Sequence, residues 1–315
     1  MRKIYSEGMD NMEKKKTKAV IFGAGNYGRT LLRGLQKYCD VIINAISDND
    51  VTKWGNYIEG IQVIAPQELL KDDFDIIFIC IRKGNQFRAV EKQLMEMGVL
   101  QEKIVIMQRS TEYQDAFLEF DFARKNWIKC FADYTREIGL KGNVAECGVY
   151  YGETAMFINK YWKDRTLYLC DTFEGFVDKD VMKEEKNFEA FKTGSFTYSS
   201  FRAEAPELVI DTVKARMLYP QNVKVYQGKF PDSICGLEDT FSFVNLDMDL
   251  YQPQLDGLRF FWDKIERGGG ILLHDYFHPE LPGVKAAVAD FEKEKNYVLP
   301  KIPIGDGCSI AVIKI

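Results

Sequence analysis

Acidic and imidazole side chains follow two short apolar runs late in the chain, and their spacing suits cation binding. Asp247 and Asp249 come directly after the first run, and His274 and Asp275 come directly after the second. Runs this short are typical of strands that are buried on both faces of a parallel sheet. Ligands bind where such strands end, and clustered carboxylates in apolar surroundings need a cation or hydrogen-bond donors. The pattern therefore predicts a metal-assisted site, although Asp247 and Asp275 could alternatively serve only as caps of the following helix and turn.

A glycine turn and a spaced acid precede this cluster and indicate a second ligand. Gly148 and Gly152 follow a predicted strand, and Tyr150 stands where a pyrophosphate-binding fingerprint has its middle glycine, which disfavours a dinucleotide. Asp171 ends the next predicted strand, nineteen residues after Gly152. A carboxylate there can accept hydrogen bonds from both hydroxyls of a ribose. Because Tyr150 disfavours a pyrophosphate, the turn predicts a ligand that lacks phosphates, and Phe173 could pack near an adenine of that ligand.

An earlier glycine turn has the same context of strand, turn, helix and strand. Gly23, Gly25 and Gly28 follow a predicted strand, and Asp48 lies twenty residues beyond Gly28 at the end of the next one. This order is typical of nucleotide-binding α/β units, in which the glycines let a phosphate approach a helix N-terminus. The strands predicted for this unit are 18–22, 41–47, 74–81 and 103–107.

The residues after this turn resemble the N-terminal nucleotide-sugar-binding domain of PglD-type sugar acyltransferases. The resemblance is carried by Ser47-Asp48-Asn-Asp50, Trp54-Gly55, Gly60-Ile-Gln-Val63 and Pro66-Gln-Glu-Leu-Leu. It implies that the glycine turn and Asp48 contact a nucleotide sugar. A structural or oligomerisation module with an empty crevice is the alternative, because a fold does not fix a function.

The chain is predicted to be an α/β protein with two Rossmann-like, doubly wound units. Residues 1–16 are charged and are expected to be disordered, 17–110 form the first unit, 111–140 form a linker helix and 141–315 form the second unit. In the linker, a mainly aromatic set recurs at steps of three and four residues as far as Gly139, which is placed to end a helix. The set consists of Phe117, Phe120, Arg124, Trp127, Phe131, Tyr134 and Ile138.

The bulk composition describes an acidic globular protein. The 315 residues exceed what one typical core supports, which favours two domains. A net charge of -5 argues against a nucleic-acid partner. The seven cysteines contain no CxxC pair and indicate a reducing compartment. No apolar run approaches ~18 residues and no leader is evident, so we expect a cytoplasmic protein without a membrane span.

The second unit, from about residue 125 onward, resembles the TylF/MycF-type macrocin O-methyltransferases, which are class I S-adenosylmethionine (SAM) methyltransferases. A seven-strand sheet that ends in a β-hairpin, here expected from 297–299 and 309–315, is part of the resemblance. The motifs that carry it, in chain order, are Glu146-x-Gly148-Val-x-x-Gly152-Glu-Thr, Asp171-Thr-Phe-Glu-Gly-Phe176, Gly228-x-Phe-Pro-Asp-Ser233, Leu246-Asp-x-Asp-Leu-Tyr251, Gly268-Gly-Gly270, His274-Asp-Tyr276 and Gly283-Val-Lys-Ala-Ala-Val-Ala-Asp-Phe291.

The resemblance implies a donor, a metal, an acceptor and their binding residues. SAM would be the methyl donor, Mg²⁺ or Mn²⁺ the metal, and a sugar or nucleotide-sugar hydroxyl the acceptor; a homo-oligomer is also expected. Asp247, Asp249 and Asp275 would bind the metal. The residues that would contact SAM are Glu146, Gly148, Val149, Gly152, Thr154, Asp171, Phe173, Gly228 and Phe230.

His274 departs from the Asp-Asp-Tyr motif that is frequent in this family. Imidazole suits Mn²⁺, Fe²⁺ or Zn²⁺ better than Mg²⁺. A sugar hydroxyl must lose its proton during methyl transfer, and a bound cation would stabilise the developing alkoxide. Asp249, as a ligand or base, and His274 are the candidates to take that proton. A hydrogen-bonding role for His274 at the strand end is the alternative.

Residues 177–205 are a long segment between Asp171 and the next predicted strand, and segments of this length are usually lids or disordered. A lid is the sharper prediction, because excluding water would protect the transfer step. A lid over the acceptor is expected to carry aromatic contacts, and Lys192 and Arg202 could meet acceptor phosphates or simply face solvent. The aromatic residues are Phe188, Phe191, Phe196, Tyr198 and Phe201.

Two other functions compete with sugar O-methylation. An NAD-dependent oxidoreductase would use the first glycine turn and Asp48, but the first unit contains no recognisable catalytic acid or base. A non-catalytic sugar-nucleotide-binding protein would not need the glycines and acids that the second unit retains. We therefore expect a SAM- and metal-dependent O-methyltransferase.

Overall fold

Two parallel-rich sheets follow one another along the chain in a computed structural model, which describes residues 16–71, 73–82, 86–194 and 205–315. The predicted α/β class with two doubly wound units is confirmed. The elements are β1 (Thr17–Phe22), α1 (Asn26–Tyr38), β2 (Val41–Ser47), β3 (Tyr57–Ile58), β4 (Ile61–Ile64), β5 (Ile76–Ile79), α2 (Gln86–Glu96), β6 (Ile104–Ile106), α3 (Phe122–Glu137), β7 (Asn143–Cys147), α4 (Ala155–Tyr161), β8 (Leu167–Asp171), α5 (Asp178–Asn187), α6 (Glu189–Thr193), α7 (Pro206–Ala215), β9 (Val223–Gln227), β10 (Phe241–Leu246), α8 (Tyr251–Phe261), β11 (Ile265–Leu273), α9 (Pro282–Lys295), β12 (Lys301–Pro303) and β13 (Ile310–Ile313).

The first sheet has the strand order β3-β4-β2-β1-β5-β6, and β1 pairs in parallel with β2 and β5. The last four residues of β1 are buried, as expected for a central strand with helices on both faces. After the glycine turn, α1 buries one apolar stripe formed by Leu31, Leu32 and Leu35. The glycine turn therefore lies at the carboxyl edge of this sheet.

The second sheet has the strand order β12-β13-β11-β10-β7-β8-β9, in which β13 runs antiparallel to β11 and β12. Every residue of β10 is buried, and so are the last five of β11, which agrees with the apolar runs in the sequence. The seven strands and the closing hairpin are as predicted. The predicted first hairpin strand, 297–299, is wrong, since that strand is β12 at Lys301–Pro303. Residues 297–299 instead follow the end of α9 and are bonded back to it: the amide N–H of Tyr297 donates to the Glu292 carbonyl, and the N–H of Leu299 to the Glu292 carboxylate.

The linker is not one helix, which corrects the prediction for residues 111–140. A 3-10 segment, Gln114–Glu119, precedes α3, and Asp121 between them has a left-handed φ of 55°. The buried ammonium of Lys125 stabilises this break by donating to the carbonyls of Phe117 (2.7 Å) and Phe120 (2.5 Å). The 3-10 segment packs so closely on α1 that a Cβ on Gly34 would lie 2.0 Å from the Ala116 carbonyl oxygen. The first half of the linker therefore packs with the first unit.

Arg216, directly after α7, joins the two units at their seam. Its side chain is fully buried and donates from Nε to the Gln108 carbonyl (2.9 Å) and from Nη1 to the Tyr151 carbonyl (2.5 Å). The Gln114 amide in turn donates to the Arg216 carbonyl at 2.6 Å. Because Tyr151 belongs to the second glycine turn, that turn is bonded through Arg216 to the end of the first unit.

Candidate functional site

A cavity of about 580 Å³ opens at the carboxyl edge of the second sheet, where β7, β8, β10 and β11 end. Its size is in the range of small-molecule pockets. The predicted donor and metal residues meet here with one exception, since Gly152 is not among the lining residues and faces Val213 instead. The predicted residues that line it are Glu146, Gly148, Val149, Thr154, Asp171, Phe173, Gly228, Phe230, Asp247, Asp249, His274 and Asp275.

The turn after β7 is shaped by glycine and held by Asp171. Gly148 has a φ of +82°, and a Cβ on it would lie 1.8 Å from the Asp247 carbonyl oxygen, so this turn requires glycine. Asp171 Oδ2 accepts from the amides of Val149 (2.6 Å) and Tyr150 (2.9 Å), and Oδ1 accepts from that of Phe173 (2.7 Å). Asp171 was predicted to bind a ribose, and the structure shows that its carboxylate also orders the turn.

Glu146 is a buried carboxyl group on the wall of the cavity. Its side chain is 1% exposed, and Oε1 accepts from Asn245 Nδ2 at 2.8 Å. Oε2 has no hydrogen-bond partner within the described parts of the chain. Burial, with the nearby Asp247 charge, raises the pKa of Glu146 to about 8. A positively charged or hydrogen-bonding ligand group would supply the partner that Oε2 lacks.

Three carboxylates and one imidazole converge on the other side of the cavity. His274 Nδ1 lies 2.8 Å from Asp247 Oδ1 and 2.8 Å from Asp275 Oδ2. With Asp249, these residues bring four potential ligand atoms within 4.8 Å of one another. Cys308 Sγ adds a contact of 3.2 Å to Asp275 Oδ1. The predicted acidic cluster therefore forms from the ends of β10 and β11.

The charges of this cluster are strongly coupled. Burial, reinforced by the negative charges of Asp275 and Asp247, raises the pKa of Asp249 well above its usual range. Burial disfavours the charged imidazole, but the Asp247 and Asp275 carboxylates outweigh it and raise the pKa of His274. Burial would also raise the pKa of Asp275, yet the hydrogen bond from His274 lowers it. His274 and the Arg124 guanidinium, which lies 2.8 Å from Asp247 Oδ2, provide two positive charges for three carboxyl groups, so full ionisation of the cluster requires a further cation.

Strained backbone is concentrated around the same cavity. Among the described residues, seven other than glycine have a positive φ, and four of these seven line the cavity. Each such conformation costs roughly 1–3 kcal/mol and persists where the surrounding structure fixes it, which is common at functional sites. The four residues are Tyr150 (51°), Phe173 (57°), Asp249 (60°) and Asp275 (57°).

Arg124 is a site residue that the sequence reasoning missed. Its guanidinium is buried and donates from Nη1 to Asp247 Oδ2 (2.8 Å) and from Nη2 to Thr154 Oγ1 (3.2 Å), while Nε lies 2.5 Å from Asp121 Oδ2. It thus neutralises one acid of the cluster from α3. The signal was present in the sequence, because Arg124 is the one charged member of the otherwise aromatic and aliphatic periodic set.

The predicted nucleotide residues of the first unit lie together, but outside this cavity. Asp48 Oδ2 accepts from the amide of Ala24 at 2.7 Å and from Lys53 Nζ at 3.0 Å. Gly23, Gly25 and Gly28 shape the adjoining turn, where a Cβ on Gly28 would lie 1.8 Å from the Gly23 carbonyl oxygen. Asp48 therefore orders its own turn in the same way as Asp171 orders the second one.

The predicted lid is largely helical where the structure describes it, since residues 177–194 contain α5 and α6. Glu184 on α5 is fully buried and accepts from the amide of Tyr251 at 2.8 Å, which fixes α5 to the start of α8. Phe176 and Asp180 line the cavity beside it. Residues 195–204 of the predicted lid lie outside the described residues, and with them four of the side chains named for it, namely Phe196, Tyr198, Phe201 and Arg202.

The second unit matches a known protein family. The macrocin O-methyltransferase (TylF) family profile matches residues 123–310, which is more than half of the chain. The chain belongs to this family. The predicted resemblance to this family is therefore confirmed, and a profile named C2185-like, N-terminal, matches residues 15–105. That second match supports a distinct N-terminal domain.

Individual proteins that are similar to this chain are also methyltransferases. The demethyldecarbamoylnovobiocin O-methyltransferase of Streptomyces niveus is 26% identical over 156 residues, which cover 48% of this chain and 58% of that protein, less than two thirds of its length. The structure of the O-methyltransferase NovP aligns with a TM-score of 0.51 at 22% identity, covering 61% of this chain and 79% of that one. The calicheamicin methyltransferase CalS11 aligns with a TM-score of 0.50 at 13% identity, covering 74% of this chain and 94% of that one.

None of the described helices is both long and apolar enough to cross a bilayer.

Proposed function

We propose that this protein transfers the methyl group of SAM to a hydroxyl of a sugar that is nucleotide-linked or part of a glycan or natural product. The observation that carries the proposal is a single cavity with a nucleoside-type turn on one side and an acidic cluster on the other. The name of the novobiocin relative supports a small-molecule acceptor of this kind.

The donor half of the site would be formed by β7, β8 and the turn that Asp171 holds. Asp171 Oδ2 already accepts from two backbone amides, whereas Oδ1 accepts from one and has a further lone pair, so Oδ1 can accept from a ribose hydroxyl while the carboxylate keeps its backbone partners. Phe173 and Phe230 offer apolar surface to the adenine. Glu146, whose Oε2 lacks a partner, fits the ammonium of the amino-acid end.

The acceptor half would be the acidic cluster. As the acceptor oxygen bonds to the methyl carbon, the carbon–sulfur bond breaks, its electron pair stays on sulfur, and the hydroxyl proton passes to a base. Asp249 and His274 are the two candidate bases. His274 Nδ1 contacts Asp247 and Asp275, and these carboxylates raise the pKa of the imidazole. His274 could therefore act as the base only after losing its own proton, as it would if a bound cation took up the charge of the two acids. The variant of the true base should keep SAM binding and lose turnover.

The cluster fits a divalent cation. Its donor set is three carboxylates and one imidazole whose ligand atoms lie within 4.8 Å of one another, and buried acids at that spacing need a countercharge. Asp247, Asp249 and Asp275 would hold Mg²⁺ or Mn²⁺, and the imidazole of His274 favours Mn²⁺ of the two. When bound, such an ion would stabilise negative charge on the acceptor oxygen.

For the first unit, a nucleotide-sugar ligand at Gly23, Gly25, Gly28 and Asp48 stays a prediction. Gly25 and Asn26 are exposed at the start of α1, which leaves the turn accessible. Asp48 accepts from Ala24 and Lys53, an arrangement that does not distinguish a nucleotide sugar from the NAD of the oxidoreductase alternative. Equilibrium binding of UDP-, GDP- and dTDP-sugars, with NAD as the competing ligand, tests this prediction.

The decisive experiment is mass spectrometry of candidate sugar nucleotides after incubation with SAM, with and without Mn²⁺ or Mg²⁺. The expected product is heavier than the acceptor by one methylene unit, and its formation should require the cation. An Asp247→Asn protein that keeps full turnover and the same cation requirement would refute the assignment of the cluster. Tight NAD binding without SAM binding would refute the function itself.

A further inference from the structure

Arg82 is the one described residue of the first unit that lines the methyltransferase cavity. It follows β5, two residues beyond Cys80, whose carbonyl oxygen would lie 2.5 Å from a Cβ on Gly23. Its side chain is 46% exposed, so it is open to a ligand. The first unit therefore contributes a cationic group to a cavity that is otherwise built by α3 and the second unit.

Arg82 contacts the turn between β7 and α4, residues 148–154, which is called the donor turn below because it would hold SAM. Its Nε lies 3.4 Å from Glu153 Oε1, and its guanidinium carbon lies 5.5 Å from the centre of the Tyr150 ring, a cation–π distance. Both partners belong to the segment between β7 and α4. Glu153 engages Nε, and a guanidinium has two further nitrogens that can donate to an anion. Arg82 is thus oriented by the turn that would hold the donor.

The shape of SAM leaves one arm of the donor to be placed. With the adenosyl arm at Asp171 and Phe173 and the methyl group directed to the acidic cluster, the third substituent of the sulfonium is the amino-acid arm. Its ammonium fits Glu146, but its carboxylate needs a cation or several donors. Arg124 is already engaged by three partners, Asp121, Asp247 and Thr154.

We propose that Arg82 binds the carboxylate of the donor, so that the N-terminal domain forms part of the SAM site. The inference rests on the proposed function, because it requires SAM in this cavity. A phosphate of a nucleotide-linked acceptor offers the same oxyanion chemistry. The contacts with Tyr150 and Glu153 favour the donor carboxylate, because both residues belong to the donor turn.

Calorimetric titration with two donor analogues tests the proposal. S-adenosylhomocysteine has the carboxylate, and 5′-methylthioadenosine lacks the amino-acid end. Arg82→Ala should weaken the homocysteine analogue about tenfold, the equivalent of one charge-assisted hydrogen bond, and leave methylthioadenosine unchanged. Arg82→Lys should retain part of the affinity because it keeps the charge. Arg88→Ala is the matched control, an exposed arginine of the same domain outside the cavity, and it should change neither.

Other results of these titrations would contradict the role proposed for Arg82 or the proposed function. Equal weakening of both analogues, or no weakening of either, overturns the assignment of Arg82. A third titration, with dTDP, identifies a phosphate role: loss of dTDP binding with unchanged S-adenosylhomocysteine binding also overturns it. A wild-type protein that binds neither donor analogue contradicts the proposed function instead. Thermal unfolding of the variants shows whether each one is folded.

Discussion

Replacing Asp171 by asparagine isolates the link between the acid and the donor turn. The carboxylate accepts three backbone N–H groups, from Val149, Tyr150 and Phe173, at 2.6 to 2.9 Å. An amide has a single acceptor oxygen, so its NH₂ group would face one of these donors, most directly that of Phe173. Hydrogen bonds to a charged group contribute about 1.5–3 kcal/mol each, so one lost bond and two weakened ones cost about 2–4 kcal/mol.

Part of this cost should appear in donor binding, because the turn must keep its shape for the ligand. We expect Asp171→Asn to bind S-adenosylhomocysteine roughly 30-fold more weakly, which corresponds to about 2 kcal/mol. Calorimetric titration measures the affinity, and urea unfolding measures the stability. Asp239→Asn is the control: Asp239 also accepts three hydrogen bonds, from Asn143, Tyr168 and Thr240, but lies at the opposite edge of the same sheet.

The two variants should separate binding from stability. Asp239→Asn should lower the free energy of unfolding and leave the affinity for S-adenosylhomocysteine unchanged. If Asp171→Asn binds the analogue within threefold of the wild type, the carboxylate does not organise the turn as argued. If Asp239→Asn weakens binding to the same degree, the effect is a general loss of stability.

Three further substitutions test other parts of the site. Asp247→Asn should reduce turnover about a hundredfold or more, measured with saturating SAM and Mn²⁺, since it would remove a ligand of the proposed cation but leave the donor turn intact. Gly148→Ala should destabilise the fold by at least about 2 kcal/mol in urea, because the φ of +82° and the 1.8 Å approach to a carbonyl oxygen exclude a side chain. Burial raises the pKa of Glu184 to about 7 from 4.5, so its stabilising contribution is complete below about pH 4.5 and is lost as the pH rises through 7. Glu184→Gln should flatten that fall in unfolding experiments, and an unchanged pH slope would contradict it.

The sequence predicted the elements that are specified locally. The apolar runs that became β10 and β11 lie in a short window, and the glycines and acids at strand ends follow from chain reversal at a sheet edge. The linker was less predictable because its aromatic period continues across a break. That break depends on Lys125 finding the carbonyls of Phe117 and Phe120, and on α1 offering space at Gly34, which no helical period reveals.

Site residues that depend on distant pairs were also missed. Arg124 reaches Asp247 across 123 positions of the sequence, and its role becomes visible only once α3 is packed over the end of β10. Arg82 was not singled out for the same reason, because it belongs to one unit and contacts the turn of the other. Sequence patterns thus predicted what each unit builds alone, and the structure adds what the units build together.

The seam between the units gives a physical reason for fusing them. The donor turn is held on one side by Asp171, within its own sheet, and on the other side by Arg216, which also bonds to Gln108 of the first unit. A buried arginine is costly when its donors lose their partners, so the bonds from Nε to Gln108 and from Nη1 to Tyr151 favour the docked arrangement of the two units. With Arg82 on the cavity wall, the first unit contributes to both the shape and the charge of the cavity in which we propose that SAM binds.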